Sequence, residues 1–148
     1  MVLLPEPRRR GKSPQKAPKT QAEVAGPENL PLNYQGKPVD SKEEGRVIVA
    51  LNMMEWGFGF KVAYFGGRSM PGGVEVDFLV YTPVLLTPLR MQSRFWHLIR
   101  RDETKDIMDY GKLLRIPGLA TPVDLWDYQV GSVEQAIREL TVLIGRPG

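Results

Sequence analysis

The stretch Val74-Glu75-Val76-Asp77-Phe78-Leu79-Val80-Tyr81 constrains the fold more than any other part of this chain. Val74, Val76, Phe78 and Val80 recur at every second position, the period of a strand with one face on a core. The opposite face carries Glu75, Asp77 and Leu79. Aspartate in mid-strand is intrinsically disfavoured. A buried carboxylate costs several kcal/mol unless it is paired or bound to a cation. On an open sheet face Asp77 is merely solvated, so position alone admits a functional and a plain reading.

The neighbouring segments give this strand partners. Ser41 with Glu44 three residues on reads as a capping box, and Val47, Ile48, Leu51 and Met54 then recur at helical spacing. Residues 60–65 and 89–96 read as strands on either side of the 74–81 run, with Pro83 and Pro88 bracketing the second connection. Residues 98–114 read as a helix with Ile99, Ile107, Tyr110 and Leu114 inward, stopped by Pro117-Gly118. A short strand at 123–128 and a closing amphipathic helix through Ile137, Leu140 and Ile144, started at Ser132, complete the pattern. The order α-β-β-β-α-β-α predicts an α/β fold, a small mixed central sheet flanked by helices.

This domain occupies residues 39–148; residues 1–38 hold seven of the thirteen prolines and almost no hydrophobic periodicity, which predicts a disordered tail. Six basic residues and no acid lie between Arg8 and Lys19, among them Arg8, Arg9, Arg10 and Lys12. Removing that +6 from the net charge of +3 leaves the remainder at −3. A cationic arm of this kind holds phosphate backbone without reading sequence, or serves only as a solubilising leader. With no cysteine, disulfides, thiolate catalysis and cysteine-built zinc sites are excluded. No apolar run approaches a membrane span, and a soluble, cytoplasmic protein without a membrane partner is expected.

His97 is the sole histidine of the chain and stands between an apolar run and the charge-rich Arg100-Arg101-Asp102-Glu103. An imidazole at a strand end, within reach of a strand-borne aspartate, suits metal-assisted acid–base chemistry. A histidine packed at a sheet edge with its nitrogens satisfied is the other reading. The glycine-rich stretch 66–73 lacks the lysine and hydroxyl residue of a phosphate loop, and no helix follows it. It reads as a hairpin connection, so no nucleotide cofactor is expected. Glu43 and Glu44 favour the helix dipole at the start of their helix, which is reason enough for one of them. Glu44 shares a side with Ile48 and Leu51, and the functional reading has it face the sheet near Asp77.

Taken together, these elements resemble the very-short-patch-repair endonuclease branch of the PD-(D/E)XK nuclease superfamily, over roughly residues 41–144. Glu44 with Val47 and Leu51 matches the spacing of that family's opening helix. Val76-Asp77-Phe78 looks like its second-strand Asp-Phe, Phe95-Trp96-His97 is similar to the end of its third strand, and Arg101-Asp102 resembles the opening of the next helix. Val123-Asp124-Leu125-Trp126-Asp127 is similar to its last strand, which ends in Trp-Glu. The superfamily's third-strand acid and lysine are replaced by Arg90 and Gln92. In the repair-endonuclease branch that pair is already absent, a strand carbonyl ligates the metal, and two histidines assist.

The resemblance implies a restriction-endonuclease-like fold and Mg²⁺- or Mn²⁺-dependent hydrolysis of DNA. Asp77 and the Met91 carbonyl would hold the metal, and Glu44 would bind it or orient its waters. His97 would transfer protons, while Gln92 stands where the other histidine is found. Arg90, Arg94, Arg101 and the basic tail would hold the DNA backbone. Because glutamine cannot carry a proton, a nuclease fold that only binds nucleic acid is the second reading. A small interaction or virion-associated protein is the third.

Overall fold

Two serines set the frame of the molecule. The computed structural model describes residues 28–94 and 103–147. Ser41 accepts the Glu44 N–H at 3.1 Å and starts helix α1, Lys42–Met53. The Glu44 side chain reaches back to the N–H of Asp40 at 2.8 Å, one residue before the cap, so two otherwise orphaned donors are satisfied. Ser132 and Gln135 repeat the device at the start of the last helix, Val133–Ile144: Ser132 accepts the Gln135 N–H and Gln135 accepts the Gly131 N–H.

Between these helices lies a four-stranded mixed sheet. In chain order its strands are β3 (Phe58–Tyr64), β4 (Val74–Val80), β5 (Thr87–Gln92) and β6 (Val123–Trp126), and they are neighbours in that same order. β3, β4 and β5 run antiparallel to one another, and β6 is parallel to β5. The parallel step needs a crossover, which contains helix α2, Glu103–Leu114. The last helix is α3. The α/β class and the α-β-β-β-α-β-α order of the main elements are therefore those expected from the sequence.

Val47, Ile48 and Leu51 of α1 and Leu140 of α3 bury against Phe58, Phe60, Phe78, Val80, Leu89 and Leu125 of the sheet. Each such side chain contributes roughly 1.5–3 kcal/mol of burial free energy. A second cluster joins Val74, Val76 and Leu113 of α2.

Helix α2 corrects the sequence reading. Ile107 and Leu114 are 71% and 55% exposed, not inward. Leu113 instead inserts against Val74 and Val76, and Tyr110 is half-buried beneath the Arg90 guanidinium. One residue along a helix turns the face by about 100°, so a single contact suffices to reset which residues face inward. Ile99 lies outside the described residues.

Three strand boundaries also shift. β5 starts at Thr87, includes Pro88 near its beginning, and ends at Gln92. β3 starts two residues earlier than read, at Phe58, and Asp127–Gln129 form a 3-10 turn instead of extending β6.

Residues 33–38, read as part of the tail, form a small antiparallel hairpin of β1 (Asn33–Tyr34) and β2 (Lys37–Pro38). Its turn residues Gln35 and Gly36 have φ of 51° and 76°, the two left-handed positions of a type I′ turn. Gln35 then bonds the Phe58 carbonyl and the Phe60 N–H, and Lys37 bonds the Phe60 and Lys61 carbonyls. The free edge of β3 is blunted by side chains.

The β3–β4 connection is wound tightly. Successive turns close from Gly67 N–H to Tyr64, Met70 N–H to Gly67 and Gly73 N–H to Met70. The winding brings Gly73 onto Gly67, where a Cβ would lie 1.8 Å from the Gly67 carbonyl oxygen. Gly73→Ala is therefore expected to destabilise the protein by about 2 kcal/mol or more, read as a lower midpoint in urea or thermal unfolding.

Candidate functional site

The site is built where two strands part. β4 and β5 pair through Val80↔Thr87, Leu79↔Pro88 and Phe78↔Leu89, and the pairing stops there. At the next position the Asp77 carboxylate takes over, its Oδ2 accepting the Met91 N–H at 2.8 Å. In an extended strand the N–H and C=O of one residue lie along the same edge. The Met91 carbonyl is therefore on the Asp77 side of β5.

On the other side of β4, Asp77 stands opposite Lys61, which falls between the registered pairs Phe60↔Phe78 and Val62↔Val76. Lys61 has φ of 53°, in the left-handed region that a lysine rarely adopts. Its buried ammonium donates to the Pro38 carbonyl at 2.7 Å, pairs with Asp40, and lies 3.9 Å from Glu44 Oε1. Sequence reasoning did not single out Lys61. The available signal was a charged residue inside the apolar run Phe58-Gly59-Phe60-Lys61-Val62-Ala63-Tyr64.

Glu44 enters from the first turn of α1 and is 7% exposed. Burial pushes its carboxyl above the usual range, opposed by the Asp40 N–H and Lys61 and reinforced by Asp77. Burial likewise pushes Asp77 upward, opposed by the Met91 N–H, Arg68 and Lys61. Both acids line one cavity of about 570 Å³ together with Met91, Gln92, Ser93 and Arg68. The glycine-rich hairpin thus does more than connect strands: it sets Arg68 at this cavity, 3.4 Å from Glu75 and 3.9 Å from Asp77.

The remaining candidates divide. Gln92 is buried and lines the cavity. Arg94 is exposed at the rim, donating to Asp127 Oδ1 at 3.2 Å with its guanidinium 4.9 Å from the Tyr128 ring. Arg90 is only 7% exposed, bonds Asp124 Oδ1 at 2.9 Å and stacks on Tyr110. It lies in the layer between sheet and α2 and lines a small cavity with Arg68 and Asp77. His97, Arg101, Arg8, Arg9, Arg10 and Lys12 lie outside the described residues.

Among the described residues no three Asp, Glu or His side chains are grouped closely enough to hold a metal ion. The donors that share the cavity lining, the Asp77 and Glu44 carboxylates and the Met91 backbone, are hard oxygens. That set fits Mg²⁺ or Mn²⁺, since magnesium keeps several waters and takes only one or two carboxylates from a protein. Desolvation raises both acids, and a cation bound beside them would offset part of that cost. No helix among the described residues is long and apolar enough to cross a membrane. No protein-family model matches the chain, and no curated protein or solved structure is significantly similar to it.

The upward shift of Asp77 has a definite sign for stability. Where the folded form holds its proton more tightly than the unfolded chain, stability is full below the unfolded value of about 3.8 and falls as pH rises through the folded value. Asp77→Asn, which keeps an acceptor for the Met91 N–H, is expected to melt higher than wild type at neutral pH. The gain should reach a few degrees, at roughly 2–8 °C per kcal/mol, and should vanish in melts below pH 4.

Proposed function

We propose that this chain is a metal-dependent DNA endonuclease related to the very-short-patch-repair branch of the PD-(D/E)XK nucleases. The observation that supports it best is the meeting of the Asp77 carboxylate and the Met91 edge of β5 where β4 and β5 separate, with Glu44 facing the same cavity. The reaction adds water to a backbone phosphorus and breaks one P–O bond, the departing oxygen gaining a proton. Mg²⁺ or Mn²⁺ bound here supplies Lewis-acid stabilisation of the phosphate charge and a lower pKa for the attacking water.

The protein's own contributions follow from the geometry. Asp77 is fixed by its bond from Met91, leaving Oδ1 toward the cavity side held by Arg68. Glu44 keeps one oxygen on the Asp40 N–H, and its raised proton affinity suits it to accept a proton from water. Arg94 at the rim meets backbone phosphate, where an exposed guanidinium stacked on Tyr128 is already oriented. His97 is assigned proton transfer, and Arg101 and the basic tail are assigned further phosphate contacts. We place the activity in the cytoplasm, in keeping with a cysteine-free chain acting on DNA.

A second reading rests on Gln92, a buried residue that lines the same cavity as Asp77 and cannot carry a proton. It keeps DNA binding and drops cleavage. Incubation of supercoiled and mismatch-containing plasmid with Mg²⁺ or Mn²⁺ decides between them. Wild type is expected to cut, and Asp77→Ala to cut at least about a hundredfold more slowly, exceeding the loss typical of outer-shell changes at metal sites. Equal cutting by both proteins would remove Asp77 from the mechanism. DNA binding without cutting would favour the second reading.

A further inference from the structure

Arg68 occupies a position that the hairpin reading of its loop does not explain. The described residues lining the main cavity include five carboxylates, those of Asp40, Glu43, Glu44, Asp77 and Asp127, and one cationic side chain, that of Arg68. Arg68 and Asp77 also line a smaller cavity of about 90 Å³, whose other guanidinium, that of Arg90, is 7% exposed and bonded to Asp124. Four of the five have another cation within 4.0 Å, Lys61 beside Asp40 and Glu44, Arg46 beside Glu43 and Arg94 beside Asp127. The cation at Asp77 is Arg68. A phosphodiester approaching Asp77 needs positive charge there.

The loop that carries Arg68 is held by its backbone. Phe65, Gly66 and Gly67 are all left-handed, with φ of 56°, 87° and 77°, and Gly73 packs on the Gly67 carbonyl. The guanidinium is not buried: its side chain is 64% exposed. Its two partners, Glu75 and Asp77, are alternate residues of one strand face, and the longer contact, 3.9 Å, is the one to Asp77. Only the Arg68 end of these pairs lies in water, the Glu75 and Asp77 side chains being 26% and 14% exposed. The 3.9 Å contact to Asp77 is at the long limit of an ion pair, so it is the weaker of the two.

We infer that Arg68 is a phosphate-contacting residue of this cleft, held by Glu75 and Asp77 in the cation-free protein and released from Asp77 when a divalent cation binds there. The assignment rests on the nuclease reading above. A cation at Asp77 and a guanidinium at the same carboxylate repel each other, while Glu75 keeps Arg68 beside the site. A guanidinium freed from one carboxylate presents parallel N–H donors that match the two oxygens of a phosphodiester. One side chain would thereby couple metal occupancy to DNA affinity.

The test uses the full chain with Arg68→Ala and Arg68→Lys. Calorimetric titration with Mn²⁺ should show Arg68→Ala binding about two- to fivefold more tightly, the effect of removing one weak competing pair. Duplex DNA binding in Ca²⁺ across a salt series should weaken, with the slope of log K against log salt reduced by about one. Arg68→Lys should fall between Ala and wild type, and the melting temperature should not move. If Arg68→Ala matches wild type in Mn²⁺ affinity, DNA affinity and salt slope, the assignment fails while the nuclease reading stands. If Arg68→Ala instead loses thermal stability and Mn²⁺ binding together, Arg68 is a structural brace and the assignment is overturned. A wild type that binds neither Mn²⁺ nor DNA overturns both.

Discussion

The bond from the Met91 N–H to Asp77 organises this molecule. It replaces a rung of the β4–β5 ladder with a carboxylate, so a charged group is carried into the sheet where backbone pairing ends. Without the carboxylate the Met91 N–H loses its partner, and without the gap Asp77 has no room. The two requirements account for an aspartate in a strand that otherwise alternates apolar residues inward. They also leave a backbone carbonyl and a carboxylate together, the arrangement on which the proposed chemistry depends.

A second network holds the opposing wall. The N-terminus of α1, the end of the β1–β2 hairpin and Lys61 meet around Asp40 and Glu44. The ammonium and the Asp40 N–H offset part of the desolvation cost that burial imposes on Glu44. Because Lys61 sits opposite Asp77 on the neighbouring strand, its left-handed backbone interrupts regular β3 geometry beside the cleft. Irregular backbone next to a cleft is a common way for a scaffold to aim side chains that a regular strand would point elsewhere. The strain argument runs from the observed φ to function, and the contacts of the ammonium give it a purpose.

Much of the site was legible in the sequence because its members carry local signals. Glu44 follows a capping serine at the correct spacing, and Asp77 interrupts an alternating strand. The burial of Arg90 carried no local signal, since its partner Asp124 lies 34 positions away. Arg68 was hidden by its loop: glycine content announces a turn but not what the turn is placed above. The β1–β2 hairpin was missed because two-residue strands carry no period, and its anchoring bonds span 23 to 25 positions.

By itself, the sequence determined the α/β class, the order of its main elements and the caps of α1 and α3. Those rest on periods and spacings within a few residues, which the backbone enforces wherever the chain goes. Tertiary structure alone decided where the β4–β5 register ends, which face of α2 turns inward, and that Lys61 and Arg68 both come near Asp77. Each of these depends on which distant group satisfies a buried hydrogen bond or charge. Neighbouring residues leave that choice open, and packing resolves it by the cost of leaving a polar group unpaired.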